Sequence, residues 1–161
     1  MTGVQTCALP ISMGTLSSLG TCLESKWPYD VSAVNVRPTW GAYREAYANK
    51  IGAFYSIQST GDQRIEEIKE ALRAQHPVVF GMAIDDAFMG YRGGVMPMPV
   101  PGAKPLGGHA MLIVGYDDSQ GALIGRNSWG TWWGESGYYR MPYAYLDAAE
   151  ADDFWVPTAV P

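Results

Sequence analysis

The chain has 161 residues, of which 47% are hydrophobic and only 17% charged, so it can bury the core of one domain or of one domain and a part. Its net charge is −5 and its lysines and arginines are scattered, which argues against a nucleic-acid partner. No apolar stretch approaches the roughly 20 residues of a membrane span. We therefore expect neither a nucleic-acid partner nor a membrane partner.

Hydrophobic spacing and turn residues predict the elements in chain order. Residues 13–24 are expected to end a helix with an exit turn at Gly20, and an irregular segment follows. The further predictions are a helix over 40–49, a strand over 51–58, a helix around 65–72 that ends before Pro77, a strand over 78–84, a long loop over 93–108 and a strand over 138–141. The chain is then expected to end in a polar tail that includes Phe154, Trp155 and Val156.

A β-hairpin is predicted where two apolar runs, 110–116 and 122–127, flank a polar loop that ends in glycine. If the pairing is centred on Asp118 or Ser119, His109 and Asn127 lie opposite or diagonal to each other on one face. A shift of half a residue would separate them, because side chains alternate between the faces of a strand.

His109 and Asn127 in this arrangement are two members of a Cys-His-Asn catalytic set. A thiol, with an ordinary pKa of about 8.5, needs a neighbouring imidazolium to exist largely as thiolate at neutral pH. An amide oxygen that accepts the second imidazole N–H orients the ring without adding charge. Trp129 could shield that hydrogen bond from water, and Gly107 and Gly108 would let a substrate backbone approach the histidine closely.

The sequence around these residues resembles the papain-like cysteine peptidases. Gly-His-Ala, a strand that ends in Val-Gly-Tyr, and Asn-Ser-Trp-Gly-Thr-Trp-Trp-Gly-Glu-Ser-Gly-Tyr over 127–138 match that family's signature around its catalytic histidine and asparagine. Weaker agreement is found at Glu24–Tyr29, which looks like the end of the family's helical domain, and over 65–72 and 77–81. The resemblance covers about residues 13–157.

The resemblance implies an α+β, papain-like fold. The antiparallel β-barrel domain would occupy residues 31–161, and residues 13–30 would be a remnant of the helical domain. It also implies that His109 and Asn127 are catalytic, that the substrate is a peptide or protein, and that no cofactor or metal is needed. An inhibitor or the missing helical domain are further partners that it suggests.

No cysteine stands where the family's nucleophile should be. That nucleophile opens a helix about 130–150 residues before the histidine, which here would fall before Met1. Cys7 precedes Ala-Leu-Pro, which disfavours a continuing helix, and Cys22 lies in a turn. The family's upstream glutamine, part of its oxyanion hole, is missing too. We expect this chain to lack the nucleophile and to be inactive alone.

Residues 1–11 resemble the translation of a common sequencing adapter. We therefore expect residues 1–12 to be an artefactual tail, in which Cys7 carries no biology. The codons of the nucleotide record test this, because different codons would exclude the adapter.

Some alternatives stay open on the sequence alone. A non-catalytic relative could use the fold for binding or inhibition, although the intact His-Asn-Trp set argues against it. Trp129 and Trp133 could equally serve packing or function. The loop over 96–99 either borders the substrate cleft or is a connector. Cys22 is expected to be a buried structural thiol or half of a disulfide whose partner is absent from this chain.

Overall fold

The computed structural model describes residues 8–159. The helices are α1 (Ala8–Ser18), α2 (Trp40–Ala48), α3 (Gly61–Arg73), α4 (Asp86–Met89) and α5 (Tyr145–Ala148). The strands are β1 (Phe54–Ile57), β2 (Val78–Ile84), β3 (Gly107–Asp117), β4 (Ala122–Arg126), β5 (Tyr138–Pro142) and β6 (Asp152–Pro157). The longest helix, α3, has 13 residues, and no helix within 8–159 is long and apolar enough to cross a membrane.

All six strands form one antiparallel sheet in the order β1-β6-β2-β3-β4-β5. The predicted α+β class with an antiparallel β domain is confirmed. The prediction of a polar tail was wrong, because residues 152–157 form β6 between β1 and β2. Phe154 and Val156 are buried there, and Phe154 stacks on Phe80 at 5.4 Å.

Helix α3 packs on the sheet as its spacing predicts. Ile65, Ile68 and Ala71 are buried on one face of the helix, which follows from the three- and four-residue spacing of an amphipathic helix. They join a core formed by the strand residues Val78, Phe80, Met82, Ile113, Leu123 and Met141.

Helix α1 begins earlier than the sequence suggests. Ala-Leu-Pro at 8–10 is its first turn, so the expectation that this tripeptide disfavours a helix was wrong. Proline is tolerated there because the first four N–H groups of a helix have no partner within it. Cys7 lies outside the described residues. The predicted exit turn at Gly20 is confirmed, with a φ of +78°.

Candidate active site

The β3–β4 hairpin changes register between its two ends. Near the turn, Tyr116 pairs with Leu123, whereas farther along the hairpin Ile113 pairs with Gly125. The pairing is centred between Ser119 and Gln120 near the turn and on Ser119 farther along, a difference of half a residue. A β-bulge at Val114, between Ile113 and Gly115, absorbs the difference.

The bulge determines where the predicted site residues lie. Beyond it the pairing is centred on Ser119, so its continuation sets Asn127 opposite Met111 and diagonal to His109 on the same face. The predicted arrangement is therefore present. Without the bulge, the register of the turn would continue and put the two side chains on different faces.

His109 and Asn127 are joined by a hydrogen bond of 2.8 Å between the imidazole Nε2 and the amide Oδ1. The same Oδ1 accepts the backbone N–H of Ser128 at 2.7 Å. A backbone N–H can only donate, so this contact identifies the Asn127 atom that faces His109 as oxygen. Nε2 therefore carries a proton, and Nδ1 is the ring nitrogen that can accept one.

Aromatic rings cover this hydrogen bond. Trp129 stacks on the imidazole with ring centroids 4.7 Å apart and planes 26° apart. Phe88 meets the imidazole edge-on at 6.3 Å, and Asn127 is only 7% exposed. Exclusion of water lowers the local dielectric and strengthens the bond that orients the ring.

Trp133 forms a second layer below these rings. It is fully buried, and its indole N–H donates to the Met89 carbonyl at 3.3 Å. Its ring packs on Trp129 at 5.3 Å and on Phe88 at 5.1 Å. Trp133 therefore supports the rings that touch His109.

Phe88 is the site residue that the sequence analysis missed. It lies in α4, a helix that the sequence analysis did not predict, and is fully buried. The Asp85 carboxylate accepts the Phe88 N–H at 2.9 Å and caps this helix. An aspartate directly before Asp-Ala-Phe-Met is an N-cap signal, and it could have located the helix.

Gly107 and Gly108 lie at the start of β3 and pair with Ile84 and Ala83. Both glycines are exposed, and a Cβ built on Gly107 would meet no atom within 4 Å. The approach to His109 from the N-terminal end of β3 is therefore open.

The loop between α4 and β3 is closed at one end and exposed at the other. The Tyr91 hydroxyl donates to the Gly94 carbonyl at 2.6 Å, and Glu135 accepts the Gly94 N–H at 2.8 Å. Burial raises the pKa of Tyr91. Met96 is 2% exposed whereas Met98 is 43% exposed, so the part of this loop beyond Met96 is the part available to line a cleft.

Cys22, the cysteine among the described residues, lies beside α2 and not beside His109. Cys22 is a free, half-buried thiol in the turn after α1, and a disulfide between it and a cysteine outside this chain stays a prediction. The flanking backbone of that turn bonds to Asn49 and Glu45, at the end of α2 and within it. Within 8–159, no cluster of three or more His, Cys, Asp or Glu could hold a metal ion.

Known proteins resemble this chain in sequence. The sequence model described as papain family cysteine protease matches residues 12–151. An uncharacterized peptidase C1-like protein of Acanthamoeba polyphaga mimivirus is 38% identical over 150 residues, which are 88% of this chain and 48% of that protein. A cathepsin L-like proteinase of Fasciola hepatica is 33% identical over 129 residues, 78% of this chain and 37% of that protein.

A solved structure agrees in shape. Xylellain, a cysteine protease from Xylella fastidiosa, superimposes with a TM-score of 0.80 at 32% identity, covering 95% of this chain and 62% of that one. The chain thus spans about half or less of the two curated relatives and under two thirds of xylellain. The hairpin signature, the antiparallel sheet and these matches agree, and the chain belongs to the papain family of cysteine proteases.

Proposed function

We propose that this chain supplies the base and its orienting residue in a papain-like cysteine peptidase active site. The observation that carries the proposal is the 2.8 Å hydrogen bond between His109 and Asn127 under the Trp129 ring. It leaves Nδ1 of His109 as the nitrogen that exchanges protons with a thiol and with the substrate.

In this mechanism Nδ1 of His109 takes the proton from a cysteine thiol. The thiolate attacks the carbonyl carbon of a peptide, and the C–N bond breaks as the imidazolium returns the proton to the leaving amine. Water, deprotonated by the same nitrogen, then hydrolyses the thioester and releases the thiol. Asn127 keeps the ring in one orientation throughout, because its amide oxygen holds Nε2–H.

The nucleophile in this proposal comes from outside the chain. The sequence has two cysteines, Cys7 and Cys22. Cys7 is only about 100 residues before His109, fewer than the roughly 130–150 typical of the family. Cys22 lies beside α2, whereas His109 contacts Asn127, Trp129 and Phe88. We therefore propose that the chain alone is catalytically inactive and that a helical half, supplied to it, completes the site.

A chimera tests the proposal. The N-terminal part of xylellain that this chain does not cover is fused ahead of residues 13–161, and hydrolysis of a fluorogenic peptide is measured beside the unfused chain. We expect thiol-dependent hydrolysis from the chimera, none from the chain alone, and none from the chimera with His109→Ala.

Two results would contradict the proposal. One is hydrolysis by the unfused chain together with rapid labelling of Cys22 or Cys7 by a peptidyl epoxide. The other is a folded chimera that binds peptide but does not cleave it, which would favour the alternative of a non-catalytic binding module.

A further inference from the structure

Helix α2 presents its aromatic residues to the outside. Trp40, Tyr43, Arg44 and Tyr47 follow the i, i+3, i+4, i+7 spacing of one helix face. The buried positions of the helix are the alanines 42 and 46, and the Ala46 backbone lies against Gly20. An amphipathic helix of a soluble domain normally has the opposite arrangement, with its large apolar side chains inside.

This outer face borders a groove of about 920 Å³, which we call the α2 groove. Its walls are the four residues of the α2 face together with Leu19 and Arg37. Trp40 is 86% exposed and Tyr47 68% exposed. Exposed aromatic side chains gathered in one groove are typical of a binding surface, and Trp, Tyr and Arg are the residues most enriched at interaction hot spots.

The charge of the α2 groove is positive, although the chain carries a net charge of −5. Arg37 and Arg44 line it and no carboxylate does. Lys50 lies 3.5 Å over the Tyr47 ring, and the charged residues of an adjoining cavity are Lys26, Arg44 and Glu45. The ion pairs of the described residues are formed by other cations, namely Arg64, Lys69, Arg73 and Arg140.

The carboxylates nearest in sequence to the α2 groove accept backbone hydrogen bonds. Glu45 accepts the N–H of Leu23 at 3.1 Å, and Glu24 accepts the N–H of Tyr29 at 2.6 Å. Asp30 caps a short 3-10 turn through the N–H of residue 32. None of these three carboxylates forms an ion pair with Arg37 or Arg44 among the described residues, so both guanidinium groups are available to a partner.

We propose that the α2 groove binds an acidic peptide segment that carries one aromatic side chain. The aromatic side chain packs between Trp40 and Tyr47, and the flanking carboxylates pair with Arg37 and Arg44, whose guanidinium groups suit bidentate pairing. The groove is formed by α2 with Leu19 and Arg37 and shares no residue with the His109–Asn127 pair, so this proposal is independent of the proposed catalytic function.

A labelled peptide tests the proposal on the full chain. Fluorescein-Glu-Asp-Phe-Asp-Glu is titrated with the protein and its anisotropy is followed. We expect saturable binding that weakens at least tenfold with Trp40→Ala and about tenfold with the double change R37Q and R44Q. Replacement of the peptide Phe by Gly should also cost at least tenfold, and 0.5 M salt should weaken binding because it screens the charges.

Matched controls keep the test decisive. Trp132→Ala removes another exposed tryptophan, 69% exposed, and Lys104→Gln removes an exposed cation outside the groove; neither should change the affinity. Circular dichroism and the melting temperature establish that each variant is folded. Absence of binding by the acidic peptide, equal binding of Lys-Arg-Phe-Arg-Lys, equal competition by polyphosphate, or unchanged affinity of folded Trp40→Ala would each overturn the proposal.

Discussion

The two ends of the β3–β4 hairpin are held by different chemistry. At the turn, Asp118 accepts hydrogen bonds from Lys69 at 2.6 Å and from the Tyr143 hydroxyl at 2.7 Å. Lys69 is only 7% exposed, so this end depends on a nearly buried charge. At the other end His109 and Asn127 share one hydrogen bond to a neutral amide under aromatic rings.

The two ends differ in whether the groups that hold them are charged. The hydrogen bond to Asp118 raises the pKa of Lys69, and the same bond lowers the pKa of Asp118. Both groups are thereby fixed in their charged forms over the physiological range. Asn127 is neutral, so it orients the ring of His109 through a hydrogen bond without adding a charge. The hairpin is thus held by an ion pair at one end, which we call the anchored end, and by a neutral hydrogen bond at the other.

The largest expected effect is on kcat, and it differs between the two ends of the hairpin. In the chimera, Asn127→Ala should lower kcat by about 10²-fold or more, because the imidazole loses the acceptor that orients it. Lys69→Met, at the anchored end, should change kcat by less than about threefold. Steady-state kinetics on both variants check this. Equal losses of kcat would show that the two ends are not functionally distinct.

The next largest effect is on the free energy of unfolding and arises in β4, the strand between the two ends of the hairpin. A Cβ at Gly125 would overlap the ring of Tyr139, which is fully buried. Gly125→Ala should therefore lower the free energy of unfolding by about 3 kcal/mol or more. Gly14→Ala is the control, because nothing lies within 4 Å of its Cβ position and alanine favours helix by about 0.5–1 kcal/mol. Urea unfolding measures both, and similar values would exclude the overlap.

The sequence predicts the helices and strands that depend on local hydrophobic pattern and turn residues. Strand β2 over 78–84, the hairpin and helix α3 follow from hydrophobic periodicity, polar loops and Pro77, and all three are present. The diagonal relation of His109 and Asn127 was predicted as one of two possible registers. The structure decides between them through a bulge at Val114, a residue that looks like any other in an apolar run.

Long-range pairing explains the main error. Residues 152–157 begin with two aspartates near the end of the chain, which favours a tail. Strand β6 pairs with β1 (Phe54–Ile57) and with β2. Both strands are distant in sequence, and no local signal identifies them as its partners. The alternate burial of Phe154 and Val156 is a period-two pattern, but three apolar residues are too few to separate it from chance.

A smaller effect is expected at the anchored end itself. Lys69→Met should lower the free energy of unfolding by about 1–2 kcal/mol, because it removes charge-assisted hydrogen bonds to Asp118 and Glu66. Both carboxylates are largely exposed and regain water, which limits the loss. Arg73→Met is the control: Arg73 is half exposed and 3.9 Å from Glu66, so it should cost less than Lys69→Met. Equal losses from the two variants would contradict an anchor at Lys69.

The smallest effect is the acid dependence of that anchor. The hydrogen bond from Lys69 holds the pKa of Asp118 below its ordinary value of 3.8, so its stabilisation is present above pH 3.8 and is lost as the pH falls through the lower folded value. The melting temperatures of the native chain and Lys69→Met should therefore differ at pH 6 and approach each other as the pH falls below 3.8. Lys69 stays protonated throughout this range, because its pKa is raised, so the convergence reports the carboxylate. A gap that does not narrow at any pH below 3.8 at which both proteins stay folded would mean that Lys69 stabilises the hairpin by packing on Tyr143 and not by its charge.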